Sequence, residues 1–221
     1  MKIHPPFAAL TGVATLGAIL MLSGIAPQDS HALEYTLNTE FSGTGATATG
    51  YPTVTILDSG VDQVTLTLQN NFTNSTEKVG GVYLNSLLDS SALAFAHFSG
   101  DQATSITQSL NCCKADGDGF FDIRLDYSTS AGTSFTNSDF SVYTITGAGL
   151  TAASFDATSL SGGGNGTWHA AAHIQGLGTN GQLSGWFGDG GTGAPVPEPS
   201  SLFLLGTGFA AFGAWRMKRK A

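Results

Sequence analysis

Gln63-Val64-Thr65-Leu66-Thr67-Leu68-Gln69 lies at the centre of a run, Val61 to Phe72, that decides the fold class. Val64, Leu66 and Leu68 fall on one face, and Thr65, Thr67 and Gln69 on the other. Strict period-two alternation with β-branched residues specifies a half-buried strand. Upstream, Thr53 to Leu57 is a second β-branched run. Asp58-Ser59-Gly60 between the two supplies turn chemistry, so the pair is expected to form a hairpin.

The same pattern recurs along the chain. Val79 to Leu84 resumes a strand in which Gly80-Gly81 marks a bulge or a close backbone approach. Leu87 to Phe98 alternates more weakly. Gly119 to Tyr127 sets Phe121, Ile123, Leu125 and Tyr127 against Asp122, Arg124 and Asp126. Phe140 to Thr146 and Leu150 to Phe155 form a further pair around Gly147-Ala148-Gly149, and Trp168 to Ile174 is a last short apolar strand. Many short strands with Gly, Asn, Asp and Ser turns predict an all-β body, an antiparallel β-sandwich that is jelly-roll-like. The expected boundaries are a signal peptide over 1–32, the sandwich over 33–175, a Gly-rich linker over 176–195 and a separate C-terminal segment over 196–221.

The two ends carry export chemistry. Lys2 gives a thin positive start, Phe7 to Ile25 is apolar, and Ser30-His31-Ala32 places small residues where a signal peptidase needs them, so cleavage is expected after Ala32. At the other end Pro197-Glu198-Pro199 precedes a charge-free run, Leu202 to Trp215, which includes Leu202, Phe203, Leu204, Leu205, Phe209, Phe212 and Trp215. Arg216, Lys218, Arg219 and Lys220 follow. Proline removes backbone donors and biases its neighbours to extended structure, so a helix starts only after Pro199. The apolar run is expected to form one C-terminal transmembrane helix. Ser200 and Ser201 would extend it, and the basic residues would snorkel at its end.

This tripartite tail, Val196 to Lys220, resembles the PEP-CTERM sorting signal of Gram-negative bacteria and covers about a tenth of the chain. The resemblance implies an exosortase-type processing enzyme as partner, with Pro197, Glu198 and Pro199 as the sorting motif. It also implies anchoring in the inner membrane before processing, then a place at the cell surface or outside the cell, in a setting of extracellular polysaccharide and biofilm. The plain alternative is an ordinary membrane anchor with a proline-rich neck.

Composition narrows the function of the body. The chain has 8 Lys and Arg against 16 Asp and Glu, a net charge of −8. Between Leu33 and Val196 the only basic residues are Lys78, Lys114 and Arg124. That balance excludes nucleic acid as a partner, since binding it needs clustered cations to displace counterions. The cysteines, Cys112 and Cys113, are adjacent; a vicinal disulfide is the first expectation, ahead of intermolecular pairing and a metal site.

Asp116-Gly117-Asp118-Gly119-Phe120-Phe121-Asp122 is the sharpest chemical feature. Asp116, Asp118 and Asp122 could turn carboxylates toward one hard cation, making calcium the one cofactor the sequence offers. The alternative is a tight acidic turn with Asp122 on the solvent face. His169 and His173, four apart on a strand, would lie roughly 13 Å from each other, too far to share an ion. Trp168, Trp186, Tyr83 and Tyr143 are candidates for a sugar-stacking platform or, more plainly, for packing. No nucleophile elbow, phosphate loop or dinucleotide fingerprint occurs, so no catalytic residue is assigned. The leading expectation is a non-catalytic surface or matrix protein associated with extracellular polysaccharide. A lectin-like carbohydrate-binding module, with or without calcium, and a polysaccharide-active hydrolase are the alternatives.

Overall fold

The computed structural model describes residues 31–116, 119–162, 166–190 and 194–195. Thirteen strands are named within them: β1 (Ala32–Thr36), β2 (Thr39–Gly43), β3 (Thr53–Gly60), β4 (Gln63–Gln69), β5 (Lys78–Leu84), β6 (Ala94–Gly100), β7 (Ser105–Lys114), β8 (Phe120–Asp126), β9 (Phe135–Thr136), β10 (Phe140–Thr146), β11 (Ala170–Leu177), β12 (Leu183–Gly188) and β13 (Ala194–Pro195). They form two antiparallel sheets. The first has the order β13-β1-β3-β4-β10-β6, and the second β2-β12-β11-β5-β8-β7, with β9 beside β5.

Alternation determines what goes inside. Val64, Leu66 and Leu68 of β4, with Val54 and Ile56 of β3 and Tyr143 and Ile145 of β10, point from the first sheet into a single core. Val82 and Leu84 of β5, Ile123 and Leu125 of β8, Ala170, Ala172 and Ile174 of β11 and Phe187 of β12 meet them from the second. Each fully buried aliphatic or aromatic side chain is worth about 1.5–3 kcal/mol, so this interface accounts for most of the fold. The expected all-β antiparallel sandwich is therefore what the body forms. The β3–β4 hairpin is also present, but its turn lies one step later, at Val61-Asp62, with Asp62 at φ 56°.

The second sheet carries a smaller apolar cluster on its outer side. Phe41, Tyr83, Cys113, Ala115, Phe121, Trp168 and Ala171 make it, with Trp186 packed against them. Phe121 belongs here, whereas its alternation partners Ile123 and Leu125 face the main core. Loops are tied down by polar groups. The buried Glu77 carboxylate accepts from the Thr49 backbone N–H (3.0 Å) and hydroxyl (2.6 Å), joining the β2–β3 connection to the segment before β5.

Three expectations change. The Gly-rich segment 176–195, expected to be a linker, contains β12, which pairs with β11 along Leu183–Gly188. Leu150 to Phe155 is not a strand; Ala152–Phe155 is one 3₁₀ turn closed by a capping box between Thr151 and Ser154. The transmembrane helix expected over 202–215 does not stand. Among the described residues no helix is long and apolar enough to cross a membrane, and residues 202–215 lie outside those described. The run's fourteen residues reach roughly 21 Å at ~1.5 Å each, short of a hydrocarbon core of about 30 Å. With that helix go the two expectations that depended on it, the membrane as a partner and inner-membrane anchoring before processing.

Candidate functional site

The outer side of the second sheet holds a cleft of about 400 Å³. Its floor is the Gly80-Gly81 stretch of β5. Gly80 is the extra residue of a bulge, since His173 pairs with Gly81 and Ile174 with Val79. A side chain at Gly80 would meet the Gln175 amide at 3.0 Å, so glycine keeps the floor open. The wall is aromatic. His173 of β11 and Trp186 of β12 are register partners, and their rings stack at 4.5 Å and 16°. Tyr83 stands edge-on to Trp186 at 5.3 Å and is itself braced by Phe121 at 5.7 Å.

Charge sits at the rim. The Arg124 guanidinium lies 5.6 Å from the Tyr83 ring centre and pairs with Asp126, Nη2 at 2.5 Å and Nε at 2.7 Å. Lys114, exposed, lies 5.3 Å from the centre of the Phe120 ring. Burial holds His173 below its ordinary pKa, Asp116 pulls it back and Arg124 pushes it further down. The imidazole is thus neutral at pH 7. Gln175 Nε2 donates to His173 Nδ1 at 3.3 Å, which leaves the ring proton on Nε2, free to donate. Burial raises the Tyr83 phenol above its usual range, and the effects of Arg124 and Asp126 oppose each other. The cleft therefore offers ring faces, neutral donors and two cations.

A larger depression, about 720 Å³, lies among loops and is lined by Thr76, Lys78, Asp101, Thr133, Thr136 and Asp139 with other small polar residues. It has no aromatic wall. Burial and then Asp139 raise the Asp101 pKa, but Asp101 is exposed and Asp139 accepts from the Thr136 N–H at 2.8 Å. The smaller cleft has the better-built chemistry.

Residues 195–220 match the family model described as the PEP-CTERM protein-sorting motif. The chain thus carries a PEP-CTERM sorting motif near its C-terminus. The motif supports export and sorting to the cell surface by an exosortase system. No curated protein and no solved structure matches the chain. The PEP-CTERM match begins at Pro195, the last residue of β13, which pairs with Leu33 of β1. Its Pro197, Glu198 and Pro199, its apolar residues and its basic residues Arg216, Lys218, Arg219 and Lys220 lie outside the described residues. At the front, residues 1–30 also lie outside them. Ala32 is already in β1, paired with Leu57, so cleavage after it would begin the exported chain inside a strand.

The other sequence candidates scatter. Asp118 is outside the described residues. Asp116 is exposed and accepts from the Ser42 hydroxyl. Asp122 is not on a solvent face; it is 6% exposed and accepts from the Asn111 N–H (2.7 Å) and the Ser86 N–H (3.3 Å). The reason is a wide bulge: Gln108 pairs with Ile123 and Cys113 with Phe121, so Ser109 to Cys112 loop over Asp122. Cys112 and Cys113 are joined in a disulfide within that bulge. Among the described residues no three His, Cys, Asp or Glu side chains converge to hold a metal ion. His169 is occupied by Asp189 at Nδ1 (2.8 Å) and Asp156 at Nε2 (3.4 Å) and stacks on Tyr35, well apart in role from His173. Of the four aromatic candidates, Tyr83 and Trp186 meet in the cleft. Trp168 stacks on Phe41, and Tyr143 lies in the main core. His173 and the Gly80 bulge complete the cleft, and no pattern linked them to Trp186 in advance.

Proposed function

We propose that this chain is a non-catalytic surface or matrix component, exported and sorted by an exosortase system, that holds extracellular polysaccharide in the Trp186 cleft. The observation that carries the reading is the stacked pair Trp186–His173 above the side-chain-free floor of Gly80 and Gly81. A pyranose presents a C–H face that needs an apolar plate and hydroxyls that need donors and acceptors. The ring pair supplies the plate; His173 Nε2, Gln175 and Tyr83 supply the polar groups. The sorting motif supports delivery of that cleft to the cell exterior.

The test is a glycan array probed with the full chain and with Trp186→Ala. Binding to at least one saccharide class, lost in the variant, is expected. Absence of any saccharide ligand, or binding indifferent to Trp186, would overturn the reading.

A further inference from the structure

The cations of the body are placed unevenly. Between Leu33 and Val196 there are fourteen acidic residues, all of the chain's sixteen except Asp29 and Glu198, and three basic ones. Lys114 and Arg124 line the cleft. Lys78 donates from Nζ to the carbonyl of Thr129 at 2.7 Å, and Thr129 lines the same cleft. Two of the three cations of an acidic body therefore line one cleft, while Lys78 lines the larger depression and reaches the cleft only through Thr129. Solubility does not explain this, because a net charge of −8 is already far from zero.

We propose that the cleft takes a carboxylate-bearing sugar, a hexuronate unit of an acidic polysaccharide. The proposal rests on the polysaccharide reading above and adds the charge of the ligand to it. Lys114 makes no ion pair among the described residues and is exposed. Arg124 spends two of its donors on Asp126, which fixes the guanidinium across Tyr83 and leaves the remaining N–H groups to point elsewhere. Among the described residues, two carboxylates that act on the cleft residues are already engaged. Asp126 is held by Arg124 and by the Ser105 hydroxyl at 3.0 Å, and Asp116 by the Ser42 hydroxyl. The ring of the sugar lies on Trp186, and its carboxylate reaches the Lys114–Arg124 side. Charge-assisted hydrogen bonds are shorter and stronger than neutral ones, so the acidic unit outcompetes its neutral counterpart.

The experiment is calorimetric titration of the full chain with galacturonic acid oligomers and with glucose oligomers of equal length. The acidic oligomer should bind about tenfold or more tightly than the neutral one, the effect of one charge-assisted hydrogen bond. That preference should shrink at high salt, because the groups are partly exposed. Lys114→Gln should reduce it, and Lys114→Glu, at an exposed position, should abolish it. Trp186→Ala should weaken both ligands. Equal affinity for the two oligomers, with both lost in Trp186→Ala, would overturn the acidic-sugar inference and leave the cleft reading standing. Failure of both oligomers to bind, or binding indifferent to Trp186→Ala, would overturn both.

Discussion

The two outer faces of the sandwich are both built from antiparallel strands, yet they differ in chemistry. On the first sheet, cross-strand partners form rows: Thr36–Thr53–Gln69–Phe140, Glu34–Thr55–Thr67–Val142 and Leu57–Thr65–Thr144–Ala96. Glu34 is the one charged residue in these rows. Threonine satisfies a strand's preference for β-branched side chains while its hydroxyl remains solvated. Among the described residues, none of these threonine hydroxyls makes a hydrogen bond within the protein. On the second sheet the equivalent positions hold Tyr83, Arg124, His173 and Trp186, partly stacked and partly charged. The first face is what propensity and solvation alone produce. The second needs a supporting cluster of Phe41, Phe121 and Trp168 beneath its aromatic residues. Local departures of this kind, supported by their own packing, mark functional sites.

The comparison is most strongly broken at Tyr83, which is buried and touches both Phe121 and Trp186. Tyr83→Ala should cost about 3–5 kcal/mol, the range for deleting a buried aromatic ring, measured by urea unfolding. A loss near 1 kcal/mol would mean that the outer cluster does not support the site.

Next in size is the pH response of the cleft. The folded state holds the His173 pKa below its unfolded value of 6.5. Above that value both states are neutral at this site and its contribution to stability is fully present. As pH falls below 6.5 the unfolded chain takes the proton first, so stability is lost until the folded value is passed. The urea midpoint should therefore decline from pH 7.5 to pH 5, and His173→Phe should flatten that decline. An unchanged slope in the variant would remove His173 as its source.

The smallest effect belongs to the plain face. Thr67→Ala should cost no more than about 1 kcal/mol, the scale of cross-strand pair and strand-propensity effects, and should leave saccharide binding unaltered. A Thr67 variant that binds less would sharpen interest in the wrong face and weaken the contrast.

How much of this was legible depends on periodicity. β4 and β8 were found because their inward residues repeat at every second position. β7 was missed because Ser105 to Lys114 is an edge strand, mostly exposed, with a bulge that puts Leu110 78% in solvent. Without a buried face there is no apolar period to detect. β12 was hidden by its glycines, yet they serve packing: a side chain at Gly188 would sit 2.4 Å from the Trp168 ring. The same bulge that hid β7 buried Asp122, which alternation alone would have left outside. The cleft was half legible. Tyr83 and Trp186 were candidates as aromatic residues, and Gly80-Gly81 as a bulge. Their meeting depends on the β11–β12 and β11–β5 registers, long-range pairings that no local pattern encodes.

The central claim is that the second sheet's aromatic cleft, and not the threonine face, engages polysaccharide. The most direct measurement is affinity electrophoresis of the full chain through gels containing the host's own extracellular polysaccharide. Trp186→Ala would be run beside a Thr55→Ala, Thr67→Ala, Thr144→Ala triple variant. The account predicts that the native chain and the triple variant are retarded alike while Trp186→Ala runs free. Retardation that survives Trp186→Ala and disappears in the triple variant would contradict it.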